Sequence, residues 1–261
     1  MGFPDPARMG AVQLSGKVVV VTGASRGIGA ATARALAARG ATVVGTGRDA
    51  TALSAVMDNI AGTAVLGDVR DPGHADEVVR RTLDAHGRLD AVVVNAGIGH
   101  TGAFVEMPPD RIDELLDVDV RAPVAMARAA LPELTRSGEG VMVFVTSIAG
   151  VLLVPRESLY SAAKAAMEAF AELLREEVRG TGVHVGTVIP GAVRTEFFIN
   201  RGAPYERSFP KPIPPEPVAA GVLKVIEDSV DRVVVPGWLR GPMLLRRLAP
   251  RGYRALSRRY G

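Results

Sequence analysis

Short runs of β-branched and apolar residues recur along this chain, separated by stretches of good helix formers. The first run, Val18-Val19-Val20-Val21, is apolar at every position. A strand with one solvated face alternates apolar and polar residues, so a strand apolar throughout is buried on both faces. Comparable runs follow at Thr42–Thr46, Thr63–Leu66, Ala91–Val94, Val141–Thr146, Val183–Ile189 and Arg232–Val235. Between them lie an Ala-rich helix ending at Gly40 and the helix-forming stretches Ala75–Ala85, Arg111–Leu134, Ser158–Arg179 and Pro217–Glu227. Regular strand–helix alternation predicts an α/β fold: one doubly wound, seven-stranded parallel sheet with helices on both faces.

Composition narrows the class. The 261 residues are 48% hydrophobic and 23% charged, which suits one sizeable core. The expected organisation is a loose arm over 1–14, a single α/β domain over 15–235 and a tail over 236–261. A Pro-rich loop, Gly191–Pro215, leaves the carboxyl end of the sixth strand and is placed to cover a substrate. The chain has no cysteine, which excludes disulfides, thiolate metal sites and cysteine nucleophiles. Its four histidines form no ligand pair, so no metal is expected. A net charge of +3 is too mild to indicate nucleic acid. No signal peptide or twenty-residue apolar span is visible, and a cytoplasmic location is the default expectation.

Thr22-Gly23-Ala24-Ser25-Arg26-Gly27-Ile28-Gly29 closes the first strand and opens the first helix. Glycines there permit a tight turn and close approach of backbone to a pyrophosphate, which the helix N-terminus favours. An acid at the end of the second strand would bind a ribose 2′-hydroxyl, and a cation accommodates a 2′-phosphate. This chain has Thr46-Gly47-Arg48, with Asp49 only afterwards. Arg26 and Arg48 therefore favour NADP(H) over NAD(H).

Tyr160 and Lys164 are spaced i, i+4, which places a phenol beside an ammonium on one helix face. A neighbouring positive charge favours phenolate, so Tyr160 is expected to titrate low. Ser147, at the end of the fifth strand, is placed to bring a second hydroxyl to the same point.

Taken together, these motifs resemble the short-chain dehydrogenase/reductase family, in its NADP-preferring branch, over about Leu14 to Val235. The resemblance rests on Thr22–Gly29, Asp68-Val69, Asn95-Ala96-Gly97, Ser147, Tyr160-x-x-x-Lys164 and Pro190-Gly191 with Thr195. It implies a Rossmann fold and a hydride transfer between nicotinamide and a carbonyl or secondary alcohol substrate. It also implies roles. Gly23, Ser25, Arg26, Gly27, Ile28 and Gly29 form the phosphate turn, Asp68 and Val69 meet adenine, and Asn95, Ala96 and Gly97 flank the adenosine ribose. Pro190, Gly191, Val193 and Thr195 hold the nicotinamide end. Tyr160 exchanges the proton, Lys164 binds the nicotinamide ribose and lowers the tyrosine pKa, and Ser147 hydrogen-bonds the substrate oxygen. Relatives form dimers or tetramers through long helices, so a homo-oligomer is expected.

The chain departs from that pattern at Asp119, which stands where the family has a fourth catalytic residue, an asparagine. An ionised Asp119 is expected to oppose phenolate formation at Tyr160. Only this departure favours the alternative of a non-catalytic NADP(H)-binding regulatory or sensor protein. The tail mixes arginines with Trp238, Met243, Leu244, Leu245, Leu248 and Tyr253, without one acidic residue from Arg232 onward. Docking on its own domain or on a partner subunit is the default expectation for it; contact with an anionic membrane surface is the competing one. The apolar tail and Phe197-Phe198-Ile199 point to a hydrophobic substrate.

Overall fold

The computed structural model describes residues 13–254 with the exception of Ser208. Seven strands form one sheet: β1 Val18–Thr22, β2 Thr42–Gly47, β3 Thr63–Leu66, β4 Ala91–Val94, β5 Val141–Val145, β6 His184–Pro190 and β7 Arg232–Val235. Their order is β3-β2-β1-β4-β5-β6-β7, and every neighbouring pair is parallel. The helices are α1 Gly27–Ala37, α2 Ala50–Asp58, α3 His74–His86, α4 Pro109–Leu116, α5 Ala122–Ser137, α6 Ile148–Leu152, α7 Ser158–Glu177, α8 Phe197–Asn200, α9 Glu216–Asp228 and α10 Arg240–Leu248.

The all-apolar β1 run is explained by what covers it. Val19 and Val21 join a core beneath α1, α2 and α9, whereas Val18 and Val20 join a second core beneath α3, α5 and α7. The crossovers between parallel strands put helices on both faces, and chain progression reverses between β1 and β4. A crevice opens there, outside the strands' carboxyl ends. Thr22, Asn95, Ser147 and Gly191 all follow or end strands at this edge.

The expected architecture is present, with three differences. Leu14 is buried at 3% exposure within the first core, so the expected arm stops short of it; residues 1–12 lie outside the described residues. The tail end, 255–261, lies outside them as well. The single helix expected over Arg111–Leu134 is α4 and α5 joined by a π-helical turn, Asp117–Arg121. Pro123 has no N–H to give the Asp119 carbonyl, and the Ala122 N–H reaches back to the Asp117 carbonyl instead. Finally, the chain holds helices that the apolar periodicity does not mark, namely α2, α6, α8 and α10. Asp49 starts α2 by accepting from the Ala52 N–H at 3.0 Å. Ser147 does the same for α6, accepting from Ala149 at 3.1 Å.

α6 crosses α7 closely because Gly150 has no side chain. A Cβ there would lie 2.7 Å from both the Ala165 nitrogen and the Lys164 carbonyl carbon. Gly150→Ala is expected to cost about 1–3 kcal/mol. A urea midpoint equal to that of the parent protein would contradict this packing.

Candidate active site

The glycine turn is built for close approach. Gly23 and Gly27 have φ of +67° and +54°, a region that side chains disfavour. A Cβ on Gly29 would lie 2.1 Å from the Gly23 carbonyl oxygen, so only glycine lets α1 start this near the turn. α1 begins at Arg26 without a side-chain cap, which leaves its first N–H groups facing the crevice. The Ser25 hydroxyl is buried there with no hydrogen-bond partner among the described residues. Uncapped amides and an orphaned hydroxyl fit a pyrophosphate.

Beside the turn, Thr22 holds the next loop. Its Oγ1 accepts from the Asn95 N–H at 2.9 Å and the Ala96 N–H at 3.0 Å. The Asn95 side chain returns the bond, donating to the Thr22 carbonyl at 2.9 Å. Gly97 then passes close to Lys164 and Asp119; a Cβ on it would lie 3.0 Å from the Lys164 Nζ.

Tyr160 and Lys164 are both buried on α7, and Ser147 is buried at the start of α6. A side-chain bond from the end of β5 ties α7 to the sheet here. The Thr146 hydroxyl donates to Glu168, one turn beyond Lys164, and the Thr146 N–H donates to the Val188 carbonyl at 2.9 Å. The π turn swings Asp119 inward until it is fully buried. Its Oδ1 accepts from the Ile98 N–H at 2.9 Å, and its Oδ2 lies 3.5 Å from the Lys164 Nζ. No hydrogen bond reaches Oδ2 among the described residues.

The electrostatics correct one expectation. Tyr160 does not titrate low in this structure: burial pushes its pKa up, the Asp119 carboxylate pushes it further, and the Ser147 hydroxyl pulls it only partly back. The Lys164 ammonium stands 5.7 Å from the centre of the Tyr160 ring, with Asp119 beside it. Burial likewise raises Asp119 above the usual carboxylate range, against the pull of Lys164.

The residues named from the sequence line one cleft of about 1800 Å³, apart from Gly29 and Asp119, which sit behind its wall. Arg26 and Arg48 are on its rim, but neither is an unengaged cation. Arg26 pairs with Asp49 and Glu196, and Arg48 lies 3.5 Å from Asp68. Asp68 is held down at about 2, chiefly by the Arg70 guanidinium. The loop Gly191–Pro215 does lie over the cleft. Val193 bridges Ile213 at its base, and α8 within it sets the Phe197 ring 5.4 Å from that of Tyr160. Arg201, also from this loop, pairs with Glu157 just before α7.

Several contributors carry no local sequence signal. Glu168, Glu196 and the Glu157–Arg201 pair act across long sequence separations. Trp238, Leu239, Pro242 and Tyr253 bring the tail into the cleft wall, and the Tyr253 hydroxyl donates to the Leu152 carbonyl at 3.0 Å.

An uncapped glycine turn at the switch point of a doubly wound sheet, facing a buried serine, tyrosine and lysine, defines a Rossmann-type oxidoreductase. The chain belongs to the short chain dehydrogenase family, which it matches over residues 17–206. It is 34% identical over 194 residues to the bovine protein named dehydrogenase/reductase SDR family member 7B. That match covers 70% of this chain, and the chain spans about 60% of that relative's length. Among solved structures, it is similar to a short-chain dehydrogenase from Sphingobium yanoikuyae in complex with NADPH, with a TM-score of 0.81, 26% identity and coverage of 92% and 95% of the two chains. A 3-ketoacyl-(acyl-carrier-protein) reductase from Brucella melitensis complexed with NADH gives 0.80 and 26%, with coverage of 85% and 97%.

Thr22 is the residue here whose loss is most easily read. Thr22→Val removes the hydroxyl that two loop N–H groups share and is expected to destabilise by about 1–3 kcal/mol. Hydrogen exchange at Asn95 and Ala96 reports it: unchanged protection of both amides would contradict this role.

Proposed function

We propose that this chain is an NADP(H)-dependent oxidoreductase that interconverts a carbonyl and a secondary alcohol on an apolar substrate. The observation that carries this reading is the meeting of Ser147, Tyr160 and Lys164 in the cleft onto which the uncapped glycine turn opens. A bound nicotinamide would supply or take up the hydride. The turn Gly23–Gly29 would take the pyrophosphate, Asp68 and Val69 the adenine, and Asn95, Ala96 and Gly97 the adenosine ribose. Lys164 would hold the nicotinamide ribose, with Pro190, Gly191, Val193 and Thr195 at the nicotinamide end.

At the reacting end, the Tyr160 phenol donates its proton to the carbonyl oxygen in reduction and recovers it in oxidation. The Ser147 hydroxyl hydrogen-bonds the same oxygen and stabilises the charge that develops on it. The raised pKa of Tyr160 keeps the phenol protonated, the form that donates. The open Oδ2 of Asp119 supports a path that resupplies that proton through water and Lys164. Phe197, Phe198, Leu152 and Trp238 on the cleft wall support an apolar substrate.

The NADP(H) preference is supported by the absence of an acid before Asp49 and by Arg26 and Arg48 on the rim. A 2′-phosphate would compete with Asp49, Glu196 and Asp68 for these guanidinium groups. Exposed Leu173 on α7 and Val124 on α5 support a homodimer or homotetramer formed through these helices.

Consumption of NADPH with a panel of apolar ketones tests the activity. Tyr160→Phe is expected to lower kcat by about 10²–10⁴; a parent protein without turnover, or a variant that matches it, would overturn the assignment. In the same assay Arg48→Ala should raise KM for NADPH and leave that for NADH unchanged.

The electrostatics set a pH dependence. The negative charge of Asp119 raises the Tyr160 pKa, so its removal lowers that pKa, and the phenolate needed for alcohol oxidation appears at lower pH. Asp119→Asn is therefore expected to remain active, with the rising limb of its oxidation profile displaced toward acid. Superimposable pH–rate profiles would refute this coupling.

A further inference from the structure

The segment that closes one side of the cleft also turns an apolar face outward. Leu239 and Met243 anchor it, packing on Ile189, Val234, Ile148 and Val151. The remaining face of α10 is uncovered among the described residues. Leu244 and Leu248, one turn apart, are 57% and 73% exposed, and Leu245 is 38% exposed. Next to this face, Trp238 is 47% exposed and stacks on Phe209 with ring centres 5.3 Å apart. A helix docked only on its own domain turns its leucines inward and its arginines to water. Here Pro242, Met243 and Arg246 are the half-buried residues, and exposed Arg240 and Arg247 stand alongside the exposed leucines.

We propose that α10 and the turn before it rest on an anionic lipid bilayer surface. Charge argues for this occupant. Every charged residue from Arg232 to the C-terminus is an arginine. Leucines and a tryptophan set among arginines are what an interfacial helix presents, the apolar groups entering the headgroup boundary and the guanidinium groups meeting lipid phosphates. A second copy of this chain fits less well, because a twofold contact sets a patch against itself. Arginine would then oppose arginine, with no acid in the segment to offset them.

The placement has a consequence for the substrate. Trp238 and Phe209 line the cleft that holds Tyr160. A bilayer against this face would lie at the cleft mouth, so that an apolar carbonyl compound dissolved in the membrane enters without crossing water. This consequence rests on the catalytic reading above; the surface contact does not.

Trp238 is the only tryptophan, so its emission reports on the patch itself. The full chain is mixed with phosphatidylglycerol vesicles or with phosphatidylcholine vesicles, and both flotation and Trp238 emission are recorded. Flotation with the anionic vesicles, a blue shift and loss of both in high salt are expected. Leu244→Ser/Leu248→Ser should lower the bound fraction roughly tenfold or more. Arg240→Gln/Arg247→Gln provides a second variant that leaves the apolar face intact, and it should weaken binding to the anionic vesicles alone. Parent protein that fails to float, or leucine variants that float like the parent, would overturn the proposal. So would a lipid-free leucine variant that drops to a smaller assembly than the parent, since a second copy would then be the cover. None of these readouts needs turnover, so an inactive protein that floats refutes only the catalytic reading.

Discussion

Parallel pairing of β1 with both β2 and β4 is the constraint on which the rest of this structure depends. Parallel strands need crossovers, the crossovers put helices on both faces, and every strand then delivers its carboxyl end to one edge. At the switch between β1 and β4 the chain progresses in opposite directions, which opens a crevice at that edge. The groups that gather there are therefore those that end strands: the glycine turn after β1, Asn95 after β4, Ser147 after β5 and Gly191 after β6. Thr22 shows how tightly this edge is knit, because its one hydroxyl holds two N–H groups of the loop after β4. Depth is supplied by absent side chains. Gly29 lets α1 start against the turn, and Gly97 leaves room for the Lys164 ammonium.

Within that crevice the dominant energetic fact is a buried ion pair. Asp119 and Lys164 are both withdrawn from water, and the desolvation of Asp119 is only partly offset by Lys164. Asp119 takes one N–H from Ile98 and no further bond among the described residues, so its charge is incompletely answered. Tyr160 feels that residue of charge. Its phenol stays protonated because burial and a nearby carboxylate both oppose ionisation. An asparagine at position 119 would exert no such pressure. Aspartate at this position therefore shifts the balance between proton donor and proton acceptor at Tyr160 toward the donor.

What the sequence revealed and what it concealed divide along the range of the interactions. The β-branched runs, the glycine turn and the Tyr160–Lys164 spacing are local, and each lies where its pattern places it. The site residues are legible for the same reason, since each sits next to a strand end or on one helix face. The π turn was not legible. Its cause, Pro123, lies in a stretch that otherwise reads as uninterrupted helix, and only the turn explains how Asp119 reaches Lys164. The direction of the Tyr160 shift was hidden too, because a neighbouring ammonium is visible in sequence and burial is not. Glu168, which locks α7 to the end of β5, acts across 22 residues and depends on a hydroxyl, Thr146, that looks like the last residue of a strand.

The cover of the cleft shows how polar contacts can leave apolar surface free for a ligand. Arg201 carries the order of the loop: it pairs with Glu157, donates to the Ala203 carbonyl at 3.2 Å and lies 4.7 Å from the centre of the Phe198 ring. The Tyr205 hydroxyl adds a bond to the Pro210 carbonyl at 2.7 Å. None of these contacts uses the Phe197 ring, which lies 5.4 Å from that of Tyr160. The Phe197 and Phe198 rings are half-buried, and Phe197 packs on the apolar cluster that contains Met107, Leu115 and Tyr160. A lid held by a buried guanidinium keeps them at the cleft wall. Recognition then rests on apolar contact, which is tolerant of detail in its partner, while the hydroxyls of Ser147 and Tyr160 supply the directional part at a single oxygen.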